Sequence, residues 1–223
     1  MTKRNGPFIV GEWYHCYNSS IEKRISFEDS QDYHRFLELL YLANDEFPLR
    51  RDDIGTRTFK EILNIPRGKR LVTIGAFCLM PNCFDLVLQE VSEGGITAFM
   101  RKMGTAYTLY FNVRHKRVGN LFLKPFQSRH VPLHSSFQHV MSYVHSRPAV
   151  LYEPEWKINH VVDPQFLEEH LMAYPYSSLG AHTGAQIPTR TILDTQLLST
   201  VRMIPLQKML QEARQYSTDS NIH

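Results

Sequence analysis

The alternation of apolar and polar positions predicts strands and helices in turn along the first part of the chain. Residues 7–18 are rich in aromatic and β-branched side chains, a composition that favours a strand. Residues 31–44 place apolar side chains on one face at helical spacing, and Ser30 stands before them as a suitable N-cap. The pattern therefore predicts a strand followed by an amphipathic helix, with a further short helix at residues 58–63.

A hairpin and a long helix are predicted next. The apolar run at residues 70–80 is typical of a strand that is buried on both faces. Pro81-Asn82 interrupts it as a turn, and residues 83–91 return as the second strand of the hairpin. Residues 96–116 then carry apolar side chains at helical spacing, and Gly119 follows the end of this long helix.

One more strand and several helices are predicted beyond Gly119. The helix that follows the strand has Ser135 or Ser136 as its predicted cap and ends before Pro148, which cannot continue it. Pro205 interrupts the last helical pattern. The predicted segments are a strand at 120–131 and helices at 136–147, 164–172 and 195–216.

The order of the elements predicts the fold class. The series β-α-β-β-α-β-α favours an α+β fold with a ferredoxin-like antiparallel sheet, helices packed on one face, and an irregular, helical C-terminal extension. We divide the chain into a main domain at residues 1–183 and an extension with a polar tail at residues 184–223. This fold class hosts many unrelated functions, so function has to be argued from side chains.

Composition narrows the class of protein. Of the 223 residues, 43% are hydrophobic and 21% are charged, which excludes a wholly disordered chain. The three cysteines, Cys16, Cys78 and Cys83, are an odd number without paired spacing. No apolar run approaches the roughly 20 residues that span a bilayer. We therefore expect a reduced, cytoplasmic protein with neither a disulfide framework nor a membrane partner.

The distribution of charge is more informative than the net charge of +3. Residues 94–152 contain no aspartate or glutamate, and aromatic side chains are interleaved with their basic ones. Such a segment suits polyanion binding, because cations contact phosphates and rings stack on unpaired bases. A solvated basic face above core aromatics would have the same composition. The basic residues of this segment are Arg101, Lys102, Arg114, Lys116, Arg117, Lys124, Arg129 and Arg147.

Two small groups of residues could carry chemistry. Cys83 and Asp85 lie two apart on a strand and share a face, so they are either two mismatched metal ligands or a buried cysteine beside an aspartate. His139, Tyr143 and Arg147 share one helix face at a spacing of four. Tyr143 is then a candidate nucleophile toward a phosphodiester with Arg147 as a phosphate clamp, or it packs into the core. A thiol enzyme that uses Cys83 with a histidine such as His139 is a third possibility.

Five motifs in order resemble the single-tyrosine HUH transposases, in particular the REP-associated tyrosine transposases. The likeness extends over about residues 8–180, with nothing recognised beyond residue 185. The matching segments are YHCYNSSIEKRISFEDSQDYHRFLELL at 14–40, AFCLMPNCFDLVL at 76–88, GGITAFMRKMGTAYTLYFNVRHKRVGNLF at 94–122, FQHVMSYVHSRPA at 137–149 and YPYSSLGAH at 174–182.

The resemblance implies DNA transposition and recombination by a mobile element. In this family, two histidines on a strand hold Mg²⁺ or Mn²⁺, and a helix tyrosine attacks single-stranded DNA to form a 5′-phosphotyrosine link. The DNA is recognised as an imperfect hairpin. Carried over by position, Tyr143 matches the nucleophile, Cys83 and Asp85 occupy the two histidine positions, and Arg147 occupies the position of a polar residue that completes the site.

These departures from the family pattern leave two alternatives open. The chain is either an active transposase that binds Mg²⁺ or Mn²⁺, or a non-catalytic derivative that binds DNA hairpins without a metal. Arg147 would repel a cation, replace it in part, or pair with Asp85 and close the site. The resemblance also leaves a monomer and a homodimer open, and it implies association with the nucleoid when DNA is bound. The residues assigned to DNA contact are Arg101, Lys102, Arg114, Lys116, Arg117, Lys124 and Arg129.

Overall fold

The computed structural model describes residues 6–49, 57–132, 137–158, 161–200 and 204–220. Within these ranges, 3₁₀ turns at Ile21–Lys23 and Pro188–Ile192 accompany the longer elements. The strands and helices in chain order are β1 (Trp13–Ser19), α1 (Ser30–Leu42), α2 (Phe59–Ile62), β2 (Val72–Met80), β3 (Cys83–Glu90), α3 (Gly95–Arg114), β4 (Gln127–Val131), α4 (Phe137–Ser146), α5 (Ala149–Tyr152), α6 (Pro164–Ala173), α7 (Leu179–His182), α8 (Thr195–Thr200) and α9 (Leu206–Ser220).

The four strands form one antiparallel sheet in the order β2-β3-β1-β4. Strand β1 lies in the middle, with His15 opposite Val87 on β3 and opposite Arg129 on β4. Tyr17 lies opposite Asp85 in the same register. The predicted α+β class and the β-α-β-β-α-β order are therefore confirmed.

Helices cover both faces of this sheet. On one face, Cys16 and Leu86 join the core that contains α1 and α3, as the sequence predicted. On the other face, Trp13 and Val87 join a second core with residues of α4, α6 and α9. The prediction placed helices on one face only. The second layer forms because β2 and β3 are apolar on both sides and would otherwise expose half of their side chains to water.

Two predicted strand starts and one predicted helix cap differ clearly from the observed ones. Strand β1 begins at Trp13 rather than at residue 7, and β4 begins at Gln127 rather than at residue 120. Pro125 precedes β4 and has no N–H to donate to a ladder. Helix α1 is capped by Asp29 rather than Ser30, since its carboxylate accepts from the backbone N–H groups of residues 31 and 32. The predicted cap at Ser135 or Ser136 lies outside the described residues.

The C-terminal extension ends in a long helix. Pro205 stands directly before α9, so the predicted interruption is confirmed. Helix α9 continues through Ser220, and residues 218–220 of the expected polar tail are therefore helical. Met209, Leu210 and Ala213 of α9 are buried in the core that also holds Tyr143. The division at residue 183 stays a prediction. No helix in the described ranges is both long and apolar enough to cross a bilayer.

Candidate functional site

Tyr143 lies in the middle of α4, and its side chain is completely buried. Its hydroxyl has no hydrogen-bond partner among the described residues. The ring centroid lies 5.6 Å from that of His15 on β1 and 5.3 Å from that of Tyr216 on α9. Burial raises the pKa of Tyr143 well above its ordinary value, although the nearby guanidinium of Arg147 acts in the opposite direction. The predicted nucleophile is thus enclosed between the sheet and the last helix.

Arg147 bridges the two residues at the predicted metal positions. Its Nε donates to Oδ2 of Asp85 over 2.8 Å, and its Nη2 donates to Sγ of Cys83 over 3.0 Å. Asp85 is buried, and 17% of the Arg147 side chain is exposed. Burial acts to raise the pKa of Asp85, but the charge of Arg147 and a hydrogen bond from His15 outweigh it and leave the pKa lowered. Asp85 is therefore an ionised, paired carboxylate.

His15 extends this network to the last helix. Its Nε2 lies 2.9 Å from Oδ1 of Asp85, and its Nδ1 lies 3.1 Å from the hydroxyl of Tyr216. Since the carboxylate can only accept, Nε2 carries the proton that binds it. In the neutral ring, Nδ1 then accepts from Tyr216. A continuous chain of polar contacts runs from Cys83 through Arg147, Asp85 and His15 to α9.

These residues do not fit a bound Mg²⁺ or Mn²⁺. Both oxygens of Asp85 and the sulfur of Cys83 already accept hydrogen bonds. A divalent cation at this position would also face the fixed charge of Arg147 at short range. Across the part of the chain that the structure describes, no three histidine, cysteine, aspartate or glutamate side chains are grouped to hold a metal. Of the three roles considered for Arg147, the structure shows the one in which it pairs with Asp85.

A second cation stands near Tyr143. Nζ of Lys157 lies 5.7 Å from the ring centroid, and Cζ of Arg147 lies 5.5 Å from it. Burial and the charge of Arg147 lower the pKa of Lys157. Sequence reasoning did not single out Lys157. Tyr143 is therefore flanked by two positive groups, an arrangement that suits an anion and opposes a metal ion.

The structure does not support a thiol nucleophile. In the described residues, no histidine lies within hydrogen-bond distance of Sγ of Cys83, whose polar partner is Arg147. His139 is half-buried on α4 and takes no part in this contact. Burial raises the pKa of Cys83, with Arg147 opposing, so the thiol form is favoured.

The seven residues assigned to DNA contact fall into three groups. Lys102 and Arg114 make internal contacts: Nζ of Lys102 donates to the carbonyl of Phe47, and Arg114 donates to Asp29 and Asp32. Arg129 lies on the Tyr143 side of the sheet, with Cζ 5.5 Å from the ring of Tyr216. The other four lie on α3 or after it. Arg101, Lys116 and Lys124 are exposed, and Arg117 lies beside the ring of Phe111.

Sequence reasoning missed His15 and Tyr216 as members of the site. A signal for His15 existed, because it is the histidine of the first motif, YHCYN, on a strand next to the one that carries Asp85. Tyr216 is 201 residues away from His15 and lies beyond the last recognised motif, so no local pattern marks it.

A comparison with solved structures supports the fold. The chain is similar to a REP-associated tyrosine transposase whose structure was solved bound to a REP hairpin, with a TM-score of 0.53 over 82% of this chain and 86% of that one. The sequences are 12% identical. No family model matches the sequence, and no curated protein matches it. The resemblance inferred from the motifs is therefore confirmed in the fold, which is that of a REP-associated tyrosine transposase.

Proposed function

We propose that this chain binds single-stranded DNA folded into hairpins and does not cleave it by metal-dependent chemistry. The single observation that carries the proposal is the bridge that Arg147 makes between Cys83 and Asp85, the two predicted metal positions, within a transposase fold. Binding and cleavage can be tested separately, because binding would involve the basic side chains next to α3 and cleavage would involve the Tyr143 site.

The basic surface next to α3 supports DNA binding. Arg101, Lys116 and Lys124 are exposed there, and no acidic residue occurs between residues 94 and 152. Neutralising phosphates with such residues releases condensed counterions, which drives association. The structurally similar transposase was solved with a REP hairpin, and this likeness supports a hairpin as the ligand here.

The interior of the Tyr143 site argues against metal-dependent cleavage. A metal ion could bind Asp85 only if it displaced the guanidinium of Arg147. Arg147 would then lose its buried carboxylate partner. Breaking a buried ion pair costs about 3–5 kcal/mol. The buried hydroxyl of Tyr143 and its raised pKa also disfavour the phenolate that attacks phosphorus.

Strand cleavage without a metal is the second candidate. Arg147 and Lys157 both lie within 6 Å of the Tyr143 ring centroid, and two cations can stabilise charge that develops on a phosphodiester. In this reaction the Tyr143 hydroxyl would lose its proton to water as its oxygen bonds to phosphorus, the bond from phosphorus to the 3′ oxygen would break, and the released 3′ oxygen would take up a proton from water. The hydroxyl would first have to become exposed.

A gel experiment separates these functions. A labelled library of single-stranded hairpin oligonucleotides is incubated with the full chain, with Mg²⁺, with Mn²⁺ or with a chelator. Each reaction is divided between a native gel and a denaturing SDS gel, beside a Tyr143→Phe control. We expect a salt-sensitive shift on the native gel and no covalent band under any condition.

The other outcomes contradict the proposal in defined ways. An SDS-resistant band that requires metal and disappears in Tyr143→Phe would show an active metal-dependent transposase. The same band in the presence of chelator would support the metal-free reaction. If no library member shifts at all, the fold has been retained without its nucleic-acid ligand.

A further inference from the structure

Exposed apolar side chains are concentrated around α5 and α6. In the described part of the chain, fifteen large hydrophobic side chains are exposed, and six of them lie within residues 150–172. Val162, just before α6, is 87% exposed, and Phe166 in the first turn of α6 is 43% exposed. Apolar residues that are exposed singly need no explanation, but a group of them marks a place of contact with another molecule.

Several of these side chains are joined into one surface. The ring centroid of His170 lies 3.8 Å from that of Phe166 and 4.8 Å from that of Tyr152. Glu153 ties the start of α6 to the end of α5, because its Oε1 accepts from the backbone N–H groups of residues 162 and 163. We refer to this group as the α5–α6 surface, and its members are Tyr152, Glu153, Val162, Phe166, Glu169 and His170.

The α5–α6 surface lies in an acidic part of the chain. Residues 150–173 contain five acidic residues and one basic residue, Lys157, whose Nζ lies 5.7 Å from the ring centroid of Tyr143. Aromatic rings beside carboxylates attract a cation, because the face of the ring carries negative charge itself. The chemistry of this surface therefore suits an occupant that is both apolar and positively charged. The five acidic residues are Glu153, Glu155, Asp163, Glu168 and Glu169.

The outer face of α3 has this composition. Leu109 is 62% exposed and Val113 is 73% exposed, and both lie between the exposed cations Arg101 and Lys116. Among the described residues, neither of these cations forms an ion pair with an acidic side chain. Phosphates bind the cations but not the leucine and the valine, so contact with DNA leaves the apolar part of this face without a role. One face of the helix carries, at a spacing of four, Arg101, Thr105, Leu109 and Val113.

The two surfaces are separated by the sheet within one molecule. Phe99 and Phe111 of α3 belong to the core on one side of the sheet, whereas Leu167 and Leu171 of α6 belong to the core on the other side. We propose that the α5–α6 surface binds the outer face of α3 on a second copy of this chain. Each copy then offers different surfaces to its two neighbours, so that copies add head to tail instead of closing into a twofold dimer.

This contact uses two cations that the proposed DNA contact also uses. Arg101 and Lys116 face the carboxylates of a neighbouring copy in the assembly and would face phosphates in a complex with a hairpin. A hairpin and a neighbouring copy therefore compete for α3. This competition rests on the proposed function, whereas the contact between copies does not.

Sedimentation velocity of the full chain tests the contact. Phe166→Lys/Glu169→Lys changes the α5–α6 surface, and Leu109→Glu/Val113→Glu changes the outer face of α3. We expect wild type to associate as its concentration rises to about 100 µM, and to associate less at high salt, because salt screens exposed charges. Each double variant should require about tenfold or more protein for the same degree of association.

Glu168→Lys is the matched control for the α6 variant. Glu168 is exposed on the same helix, but it lines a different groove, together with Leu171 and Met209. The substitution makes the same change of charge, so it should leave association as in wild type. A loss of association in Glu168→Lys equal to that in the double variant would show an effect of net charge alone and would overturn the assignment to the α5–α6 surface.

An equimolar mixture of the two double variants gives the sharpest result. The α6 variant keeps its α3 face and the α3 variant keeps its α5–α6 surface, so together they have one intact contact. We expect the mixture to form a dimer with one copy of each and to grow no further. A mixture that stays monomeric while wild type associates overturns the head-to-tail contact, and so does a wild type that stays monomeric. If that monomer instead binds a basic amphipathic peptide through the α5–α6 surface, the occupant is another protein.

Two additions keep these results decisive. Circular dichroism checks that both double variants fold, and Glu169→Lys or Val113→Glu alone takes the place of one that does not. Adding a DNA hairpin to associated wild type should release single copies. Association that persists with the hairpin bound overturns the competition and leaves the contact in place. If no hairpin binds, the proposed function fails, while the mixture still decides the contact.

Discussion

Arg147 and Asp85, which are 62 positions apart in the chain, form an ion pair of 2.8 Å at a position that the sequence resemblance predicted as a metal site. The negative charge of Asp85 is therefore balanced by a side chain of the protein, the guanidinium of Arg147. His15 binds the second oxygen of Asp85, so that each carboxylate oxygen accepts a hydrogen bond from the protein. The paired state of these side chains is consequently part of the folded structure.

Removing the guanidinium should destabilise the fold. Arg147→Met leaves the buried carboxylate of Asp85 with His15 as its hydrogen-bonding partner, and we expect a loss of about 3–5 kcal/mol in the free energy of unfolding. Chemical denaturation monitored by circular dichroism measures it. The matched control is the double variant Arg147→Met/Asp85→Asn, which removes both charges and should lose less than the single variant. Additive losses from Arg147→Met and Asp85→Asn would show that the two side chains are not energetically coupled.

Removing the hydroxyl of Tyr143 should not destabilise the protein. An unpaired buried hydroxyl carries a desolvation cost of about 1–3 kcal/mol, so Tyr143→Phe should leave the free energy of unfolding unchanged or raise it by about 1 kcal/mol. Tyr107→Phe is the control, because the equally buried hydroxyl of Tyr107 donates to the carbonyl of Ser26 over 2.6 Å. That variant should lose about 1–2 kcal/mol. A larger loss in Tyr143→Phe than in Tyr107→Phe would mean that the Tyr143 hydroxyl has a partner in solution.

Restoring the family residues should restore metal-dependent chemistry. The triple variant Cys83→His, Asp85→His and Arg147→Asn replaces the internal ion pair with two imidazoles and a neutral amide, ligands that suit Mn²⁺. We expect nicking of a bound hairpin that depends on Mn²⁺, with an SDS-resistant adduct. Adding Tyr143→Phe to the triple variant should abolish the adduct. A triple variant that binds hairpins and never nicks them would show that the cleavage site has been misplaced.

The salt dependence of hairpin binding should show whether the basic surface next to α3 contacts DNA phosphates. Each phosphate contact adds about one to the slope of log affinity against log salt. Lys116→Gln and Lys124→Gln should each lower that slope by about one. Lys60→Gln provides the control, because Lys60 is exposed on α2 and lies outside the acid-free segment. Equal slopes for all three variants and wild type would exclude this surface as the place of DNA contact.

Acid should destabilise the protein through His145. Its Nε2 lies 2.9 Å from Oγ of Ser178, and its ring lies 5.0 Å from that of His182. Burial, together with His182, holds the pKa of His145 well below its ordinary value. The unfolded chain gains a proton near pH 6.5 while the folded chain does not, so stability falls as pH decreases below about 6.5. The loss should be about 1.4 kcal/mol per pH unit until the folded-state pKa is reached.

Denaturation across this pH range checks the prediction. Urea unfolding of wild type and His145→Gln is compared between about pH 7 and about pH 5. The variant should show the smaller decline, because glutamine cannot take up a proton in either state. Parallel declines in the two proteins would show that His145 titrates normally in the folded chain.

Local patterns were enough to predict most elements of the fold. The apolar runs that became β2 and β3 and the periodic segment that became α3 were all found within one or two residues of their observed bounds. Periods of 2 and 3.6 residues depend on near neighbours, so they are visible in sequence. Residues 83, 85, 143 and 147 could be chosen as candidate site residues from short motifs for the same reason.

The states of those side chains could not be predicted in the same way. Three roles were open for Arg147, and the packing of α4 against β3 selected the pairing with Asp85. Arg114 was predicted to contact DNA, and the structure shows that it also pairs with two aspartates, one on α1 and one at the N-cap of that helix. The sequence shows that a side chain is charged, but its ion-pair partner can be identified only from interatomic distances in the folded structure.

The sequence by itself determined the alternation of strands and helices, the acid-free basic segment and the positions of the transposase motifs. Only the tertiary structure decided that both faces of the sheet are covered, that α9 encloses Tyr143, and that His15 and Tyr216 join the site. These features depend on contacts between residues up to 201 positions apart. The physical reason is that periodicity is a property of neighbouring residues, whereas burial and pairing arise when distant segments exclude water together.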